Sequence, residues 1–407
     1  MQTQLATYIK DTPAGRDAEM ILQRCTHCGF CNAACPTYRL LGDELEAPRG
    51  RIYLIKQLIE GAKVTRRTQL HLDHCLTCLS CESACPAGVQ FNRLLDVGRE
   101  VAEQRVARPP AARLFQRLLL WVLPHRRRFA VAWHLGRLTK RLLPRDLRRK
   151  LPVRRHARTW PKQTHARRML VLGGCVQATV APDTNADLAA VLDRLGISLI
   201  QPTAAGCCGA ITQHLGFPEQ ARAYARHNID IWWPFLEEGI EAIIAPASGC
   251  GLFLRDYGHL LQNDPVYAER AAQLARHIKD PLEVLEDAPL AQHIQGPLPQ
   301  IVFHAPCTLE HGLHLTQRIE ALLKRLGFTL QPVQDNHLCC GAAGAYTLMQ
   351  PTLSYRLLES KIANLVASEP KLIATANIGC QIQLQSGIDI EVVHWVQLLA
   401  RHLKRKQ

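Results

Sequence analysis

The chain has 407 residues, 49 Lys and Arg against 35 Asp and Glu for a net charge of +14, and 16 cysteines. That length calls for two to three domains, each able to bury its own core. The polar, mixed-charge start MQTQLATYIKDTPAGRDAEM does not read as a secretory signal, so the cysteines are expected as thiolate ligands and not as a disulfide framework.

The first eight cysteines form two copies of Cys-x2-Cys-x2-Cys-x3-Cys-Pro, CTHCGFCNAACP at 25–36 and CLTCLSCESACP at 75–86. This is the spacing of two-cluster ferredoxins, in which a tight loop offers three thiolates to one cube and the fourth cysteine serves the other. It predicts one [4Fe-4S] cluster on Cys25, Cys28, Cys31 and Cys85, and a second on Cys75, Cys78, Cys81 and Cys35. Structural zinc prefers two separated Cys-x2-Cys pairs, which this is not. Residues 1–108 are therefore expected to be a helical bis-[4Fe-4S] ferredoxin-like domain. Arg49 and Arg51 lie near the first motif, to offset the clusters' negative charge or simply to face solvent.

A basic linker follows, placed at 109–165. Twenty of the 49 basic residues but one of the 35 acidic ones lie between Arg105 and Arg168, leaving 29 against 34 elsewhere. Two mildly acidic bodies joined by a very basic connection are expected. Within it, Leu114, Phe115, Leu118, Trp121 and Val122 share one side of a short helix that Pro124 ends. Val131, Leu135, Leu138 and Leu142 line a second stripe, opposite Arg137, Lys140 and Arg141. Basic amphipathic helices of this kind lie on anionic membrane surfaces or dock on acidic partners. Each Lys or Arg near such a surface contributes on the order of 1 kcal/mol. The longest apolar run, LLLWVL at 118–123, falls far short of the roughly 20 residues that span a bilayer. No nucleic-acid-binding motif accompanies the charge, so nucleic acid is not the expected partner.

From about 166 an internal repeat begins, with copies at 166–295 and 296–407. MLVLGGC, ADLAAVLDRLG, ISLIQP, CCG, a helix from Pro218 and EAIIAPASGC are answered by IVFHAPC, RIEALLKRLG, FTLQPV, CCGAAG, TLSYRLLESKIANLVAS and KLIATANIGC. Short apolar strands alternating with helices predict two tandem α/β domains with mainly parallel sheets. Cys175, Cys207, Cys208 and Cys250 in one copy, and Cys307, Cys339, Cys340 and Cys380 in the other, are expected to gather outside the strand carboxyl ends, where ligands bind in such sheets. Four thiols could hold a further iron–sulfur cluster, a redox-active dithiol or a zinc ion. His304 and His311 flank Cys307, either to tune a cluster or carry protons, or only to satisfy local hydrogen bonds.

These residues resemble the proteins that carry two ferredoxin-type motifs followed by two cysteine-rich CCG domains. The group includes iron–sulfur subunits of glycolate oxidase and of anaerobic glycerol-3-phosphate dehydrogenase, lactate-utilisation proteins and heterodisulfide reductase subunits. The chain is similar to the glycolate oxidase type throughout, in MQTQLATYIKDTP, in CNAACPTYRLLGDELEAPRGRIYLIKQ and in NIGCQIQLQSG. One departure stands out. Heterodisulfide reductase ends its CCG motif in Cys-x2-Cys, whereas here Cys250-Gly251-Leu252-Phe253 and Cys380-Gln381-Ile382-Gln383 are each one ligand short.

The resemblance implies an electron-transfer subunit with no catalytic residue of its own, in a complex that oxidises glycolate, and D-lactate, to the oxo acid. Flavin is the usual hydride acceptor in such chemistry. This chain has no Gly-x-Gly-x-x-Gly fingerprint, so FAD is expected on flavoprotein partner subunits. The implied acceptor lies at the membrane, with a quinone as candidate, and the implied location is cytoplasmic, bound peripherally to the inner face of the cell membrane. The competing expectations are the glycerol-3-phosphate dehydrogenase subunit, an iron–sulfur nucleic-acid-binding protein and a free-standing thiol–disulfide reductase.

Overall fold

A computed structural model of the protein describes residues 1–142, 148, 151 and 158–404. The rest of the predicted linker, at 143–147, 149–150 and 152–157, lies outside the described residues, as do the last three of the chain.

The N-terminal region is helical. Its first helix, Pro13–Arg24, begins where Thr12 accepts the Gly15 N–H at 3.0 Å and Pro13 presets the first turn. Helices Pro48–Ile59, Arg66–Asp73 and Phe91–Arg105 pack around it, burying Leu22, Ile55, Leu58, Leu72 and Leu94 completely. Each ferredoxin-type motif folds as a loop followed by one short helix, Phe30–Ala34 or Ser80–Ser83, and these two helices lie side by side.

The two repeats are two four-stranded, all-parallel sheets. In the first, β1 (Arg167–Val171), β2 (Ile197–Ile200), β3 (Ile243–Ile244) and β4 (Ile278–Lys279) take the order β2-β1-β3-β4. In the second, β5 (Gln300–Phe303), β6 (Thr329–Gln331), β7 (Leu372–Thr375) and β8 (Glu391–His394) take the order β6-β5-β7-β8. The same order in both makes the sequence repeat a structural one. Helices Asp183–Arg194 and Trp395–Arg401 meet between the sheets, and one continuous core runs from Val171 and Ile244 to Phe303 and Ala374. The helical N-terminal region followed by two parallel-sheet α/β units is as the sequence leads one to expect.

The basic connection is not a free tether between two bodies. Helices Pro110–Val122 and Arg126–Leu138 form a hairpin laid across them. Leu119 and Leu120 are buried, the Gln116 amide donates to Leu215 O at 3.3 Å, and Trp133 packs with Val180, Ala181, Ala247 and Ile378. The apolar residues in the predicted stripes face the other way: Leu114, Leu118, Trp121, Val131, Leu135 and Leu138 are all exposed. The N-terminal region also touches both repeats directly, through Arg93–Asp256 at 2.7 Å and Arg39–Asp335 at 3.3 Å. Enough apolar surface exists on the inner side of each linker helix for the three parts to bury one another.

Candidate metal centres

In the N-terminal region the thiols fall into two groups. Cys31 faces Cys25, Cys85 and Cys28, and burial together with these neighbouring charges pushes its thiol up to about 11. Cys81 faces Cys78, Cys75 and Cys35, and burial raises both Cys78 and Cys81 well above the usual thiol range. The last cysteine of each motif thus stands with the first three of the other. A buried thiol so raised ionises readily only against a cation, which is what a metal supplies. The two groups differ in exposure. Cys28 is exposed, and the Phe30 N–H holds its thiol below the usual range, whereas Cys35, Cys78 and Cys81 are all buried.

Arg51 belongs to the second group, not to the first motif beside which it stands in sequence. It is fully buried, with Nη1 3.8 Å from Cys35 Sγ and Nη2 2.8 Å from Glu46 Oε2, while Thr37 Oγ1 and the His71 carbonyl accept its remaining hydrogens. Burial opposes its charge, but Cys75, Cys35 and Glu46 outweigh that and hold it protonated. Arg49 is partly exposed and pairs with Glu44 at 2.6 Å.

Each repeat gathers its four cysteines beyond the carboxyl edge of its sheet. Cys175 and Cys307 sit in the loops that leave β1 and β5, while Cys250 and Cys380 sit in the first turn of helices Ser248–Arg255 and Ile378–Gln385. All four thus lie a few residues beyond the strand carboxyl ends. In each set the thiols touch in succession, Cys175–Cys207–Cys208–Cys250 and Cys307–Cys339–Cys340–Cys380. The glycine of each CCG turns its N–H back onto the first thiol of the pair, Gly209 to Cys207 at 3.5 Å and Gly341 to Cys339 at 3.4 Å. Gly341 has φ +81°, and a Cβ there would lie 2.6 Å from the Ser354 carbonyl. Only glycine makes that turn without displacing the backbone.

The surroundings of the two sets differ. Around the first, Asn228 donates to Cys207 O at 2.8 Å and the buried Tyr257 hydroxyl donates to Cys208 O at 2.7 Å. In the second repeat Lys361 takes the place of Asn228, its Nζ donating to Asn336 O at 2.6 Å. Its ammonium is nearly sealed from solvent and lies near all four thiols, whose charges oppose the loss of its proton on burial. His304 is also buried there, while His311 reaches Ser83 Oγ at 3.1 Å and the His337 carbonyl at 3.0 Å, as a connector between regions. Sequence reasoning did not single out Asn228, Tyr257 or Lys361. The signal was a polar residue on the buried side of an otherwise amphipathic helix.

Both sets open into one chamber of about 1000 Å3 that also reaches the N-terminal region at Cys75 and the linker hairpin at Leu119 and Trp133. The contacts are unequal. Cys78 packs with Cys339 and Cys307 of the second set, in a cluster with Leu76, Tyr346 and Leu353. Cys250 of the first set packs instead against the cluster that Trp133 of the hairpin forms with Val180, Ala181, Ala247 and Ile378.

A family model of a 4Fe-4S dicluster domain matches residues 21–89, and one of a cysteine-rich domain, CCG, matches 169–255 and 301–385. The chain is 47% identical over 407 residues to the glycolate oxidase iron-sulfur subunit of Escherichia coli (strain K12), covering 100% of both chains. It belongs to the glycolate oxidase iron–sulfur subunit family. A probable glycolate oxidase iron-sulfur subunit of Bacillus subtilis (strain 168) is 31% identical over 93% of each chain. Lactate utilization protein A of Exiguobacterium is 25% identical over 57% of this chain and 96% of its own. A crystal structure of a hypothetical protein from Helicobacter pylori superposes with a TM-score of 0.56 at 10% identity, covering 97% of this chain and 73% of the other, and shows the shared fold alone. As a member of this family the chain takes [4Fe-4S] clusters as its cofactors, and the two thiolate groups of residues 25–85, with the buried Arg51 cation beside one of them, are donor sets that fit them.

Proposed function

We propose that this chain is the electron-transfer subunit of a glycolate-oxidising complex, standing between flavoprotein subunits and an acceptor at the membrane. One observation carries the reading: Cys78 meets Cys339 and Cys307, so a ferredoxin-type ligand set and a CCG set share one buried apolar cluster. When bound, [4Fe-4S] clusters exchange single electrons, which suits the passage from a two-electron flavin to a carrier chain. In this reading Cys25, Cys28, Cys31 and Cys85 hold one cluster, and Cys75, Cys78, Cys81 and Cys35 hold the other. The CCG sets hold a further redox-active metal.

The two ends of the chain of thiols suit different partners. Exposed Cys28, with Phe30 beside it at 68% exposure, presents the first set to a flavoprotein. At the other end, the hairpin sets exposed Leu114, Leu118, Trp121, Val131, Leu135 and Leu138 among Arg113, Arg117, Arg126, Arg127 and Arg137. An apolar face with an arginine rim fits an anionic lipid surface. No helix among the described residues is long and apolar enough to cross a membrane. The chamber, walled by that hairpin and by both CCG sets, has the size and apolar lining to admit a quinone headgroup. The names of the similar proteins favour glycolate, with lactate related, over glycerol phosphate or nucleic acid.

The test is anaerobic purification of the complex with its partner subunits, followed by glycolate addition. Bleaching of the iron–sulfur absorbance by glycolate, and its return with a short-chain quinone, is the expected result. Bleaching by glycerol 3-phosphate and not by glycolate or D-lactate would overturn it.

A further inference from the structure

The two CCG sets have identical spacing but not identical donors. Three residues before its single cysteine, the first repeat carries Leu172 and the second carries His304. His304 is 1% exposed, and its Nδ1 lies 3.0 Å from Thr375 Oγ1. Its Nε2 is buried with no hydrogen-bonding partner among the described residues. The ring is not stranded among hydrocarbons: a nitrogen of His304, Cys340 Sγ and Cys380 Sγ all lie within 4.8 Å of one another, and with Nδ1 held by Thr375 it is Nε2 that remains to serve them. A buried polar atom without a partner is costly, so a fold that sets one beside two thiols implies something between them. The hydrogen bond at Nδ1 is the arrangement that fixes a ligating imidazole, with one nitrogen tied to the protein and the lone pair of the other free. The first repeat lacks every part of this, because Leu172 replaces the imidazole and Ala247 stands where Asn377 donates to Cys380 Sγ at 3.5 Å.

We propose that His304 Nε2 is a metal ligand of the second CCG set, binding an iron of an iron–sulfur group together with Cys340 and Cys380. The set then has five donors, Cys307, Cys339, Cys340, Cys380 and His304, and the imidazole supplies the donor that the absent final cysteine leaves missing. It approaches from the side away from the chamber, which Cys340 and Cys380 line and His304 does not. A neutral nitrogen in place of a thiolate, with the Lys361 ammonium nearby, makes this set less negative than an all-cysteine one. The first set has four thiols and Leu172 at the position of His304, so the two sets are chemically distinct sites.

This rests on the reading that the second set holds a redox metal, and the experiment separates the two. The full chain is purified anaerobically and reconstituted with ferrous iron and sulfide, as wild type, His304→Leu, His304→Cys and His311→Leu. Wild type is expected to exceed the roughly eight irons of two [4Fe-4S] clusters. His304→Leu, which installs the residue of the first repeat, is expected to lose iron while retaining the N-terminal clusters. His304→Cys restores a donor and is expected to retain the iron, as is His311→Leu. Pulsed EPR of the reduced wild type is expected to show a nitrogen coupling that changes when histidine is labelled with 15N and that is missing in His304→Leu. No more than about eight irons in the wild type would sink the underlying reading. More than eight, with iron content and nitrogen coupling unchanged in His304→Leu, would sink the ligand assignment alone.

Discussion

The Nε2–H of His394 donates to the Pro246 carbonyl at 2.9 Å, joining the last strand of the second repeat to the turn that follows β3 of the first. The ring is completely enclosed, and its Nδ1 accepts the Val396 N–H at 3.3 Å, so both nitrogens are committed in the neutral form. Burial pulls its pKa from 6.5 to about 4. The unfolded chain therefore binds a proton that the folded one refuses between those values. This contribution to stability is complete above pH 6.5 and is lost as the pH falls to 4, amounting to roughly 3 kcal/mol. Asp280, whose enclosed carboxyl is raised to about 7 by burial, acts in the opposite sense over much the same range. The difference between wild type and His394→Gln isolates the histidine. In denaturant titrations it should grow from pH 4 to 6.5 and then stay level; a difference independent of pH would contradict the buried neutral ring.

Arg51 Nη1 stands 3.8 Å from Cys35 Sγ of the second ferredoxin-type set, and the guanidinium also pairs with Glu46, which accepts from His71 and His74. Arg51→Gln removes a buried positive charge beside Cys35 and Cys75. It should lower the reduction potential of one N-terminal cluster while leaving the other unmoved. Breaking the buried pair should also cost about 3–5 kcal/mol of stability. Redox titration followed by EPR reads the first effect, and equal shifts in both clusters would place the charge wrongly.

Gly341 and Gly209 shape corresponding turns, so their alanine variants separate the two sets. Gly341→Ala forces a Cβ onto the Ser354 carbonyl and a side chain into positive φ, a strain of about 1–3 kcal/mol. Iron beyond the N-terminal clusters should fall in that variant. Gly209→Ala, whose Cβ would meet Ala221 O at 3.2 Å, should perturb the first set and spare the second. Identical losses in both would argue that the two sets are one site.

Leu118, Trp121 and Leu138 lie on the exposed face of the hairpin, Leu138 at 83% exposure. Changing all three to Glu removes apolar contacts worth about 1.5–3 kcal/mol each on full burial. Flotation with anionic vesicles should fall at least tenfold, while the melting temperature changes little, because these side chains are mostly exposed and belong to no buried core. Unchanged flotation would turn attention to a protein partner for this face.

The ferredoxin-type motifs were legible because ligand spacing is itself a geometric constraint. Three thiols two residues apart bend one loop around one centre, and nothing distant is needed to see it. The sheets were legible as well, since four short apolar strands such as MLVL and IVF alternate with helices. The hairpin's outer stripe was visible in its periodicity, but its inner side, with Gln116, Leu119 and Trp133, read as part of a loose connection. Whether such a side is covered depends on surfaces supplied by residues 180, 215, 247 and 378, far away in the chain.

The sequence by itself determined sixteen thiols in two duplicated patterns, the parallel α/β repeats and the amphipathic linker, because each follows from spacing and local periodicity. Only the tertiary structure decided that Cys78 joins Cys339 in one cluster, that Cys250 packs on the cluster holding Trp133, that Arg51 serves the second set, and that His304 stands with Cys340 and Cys380. A repeat written twice in sequence is symmetric by construction. Burial breaks that symmetry, because each copy is packed against different neighbours, and the chemistry of a thiol depends on those neighbours.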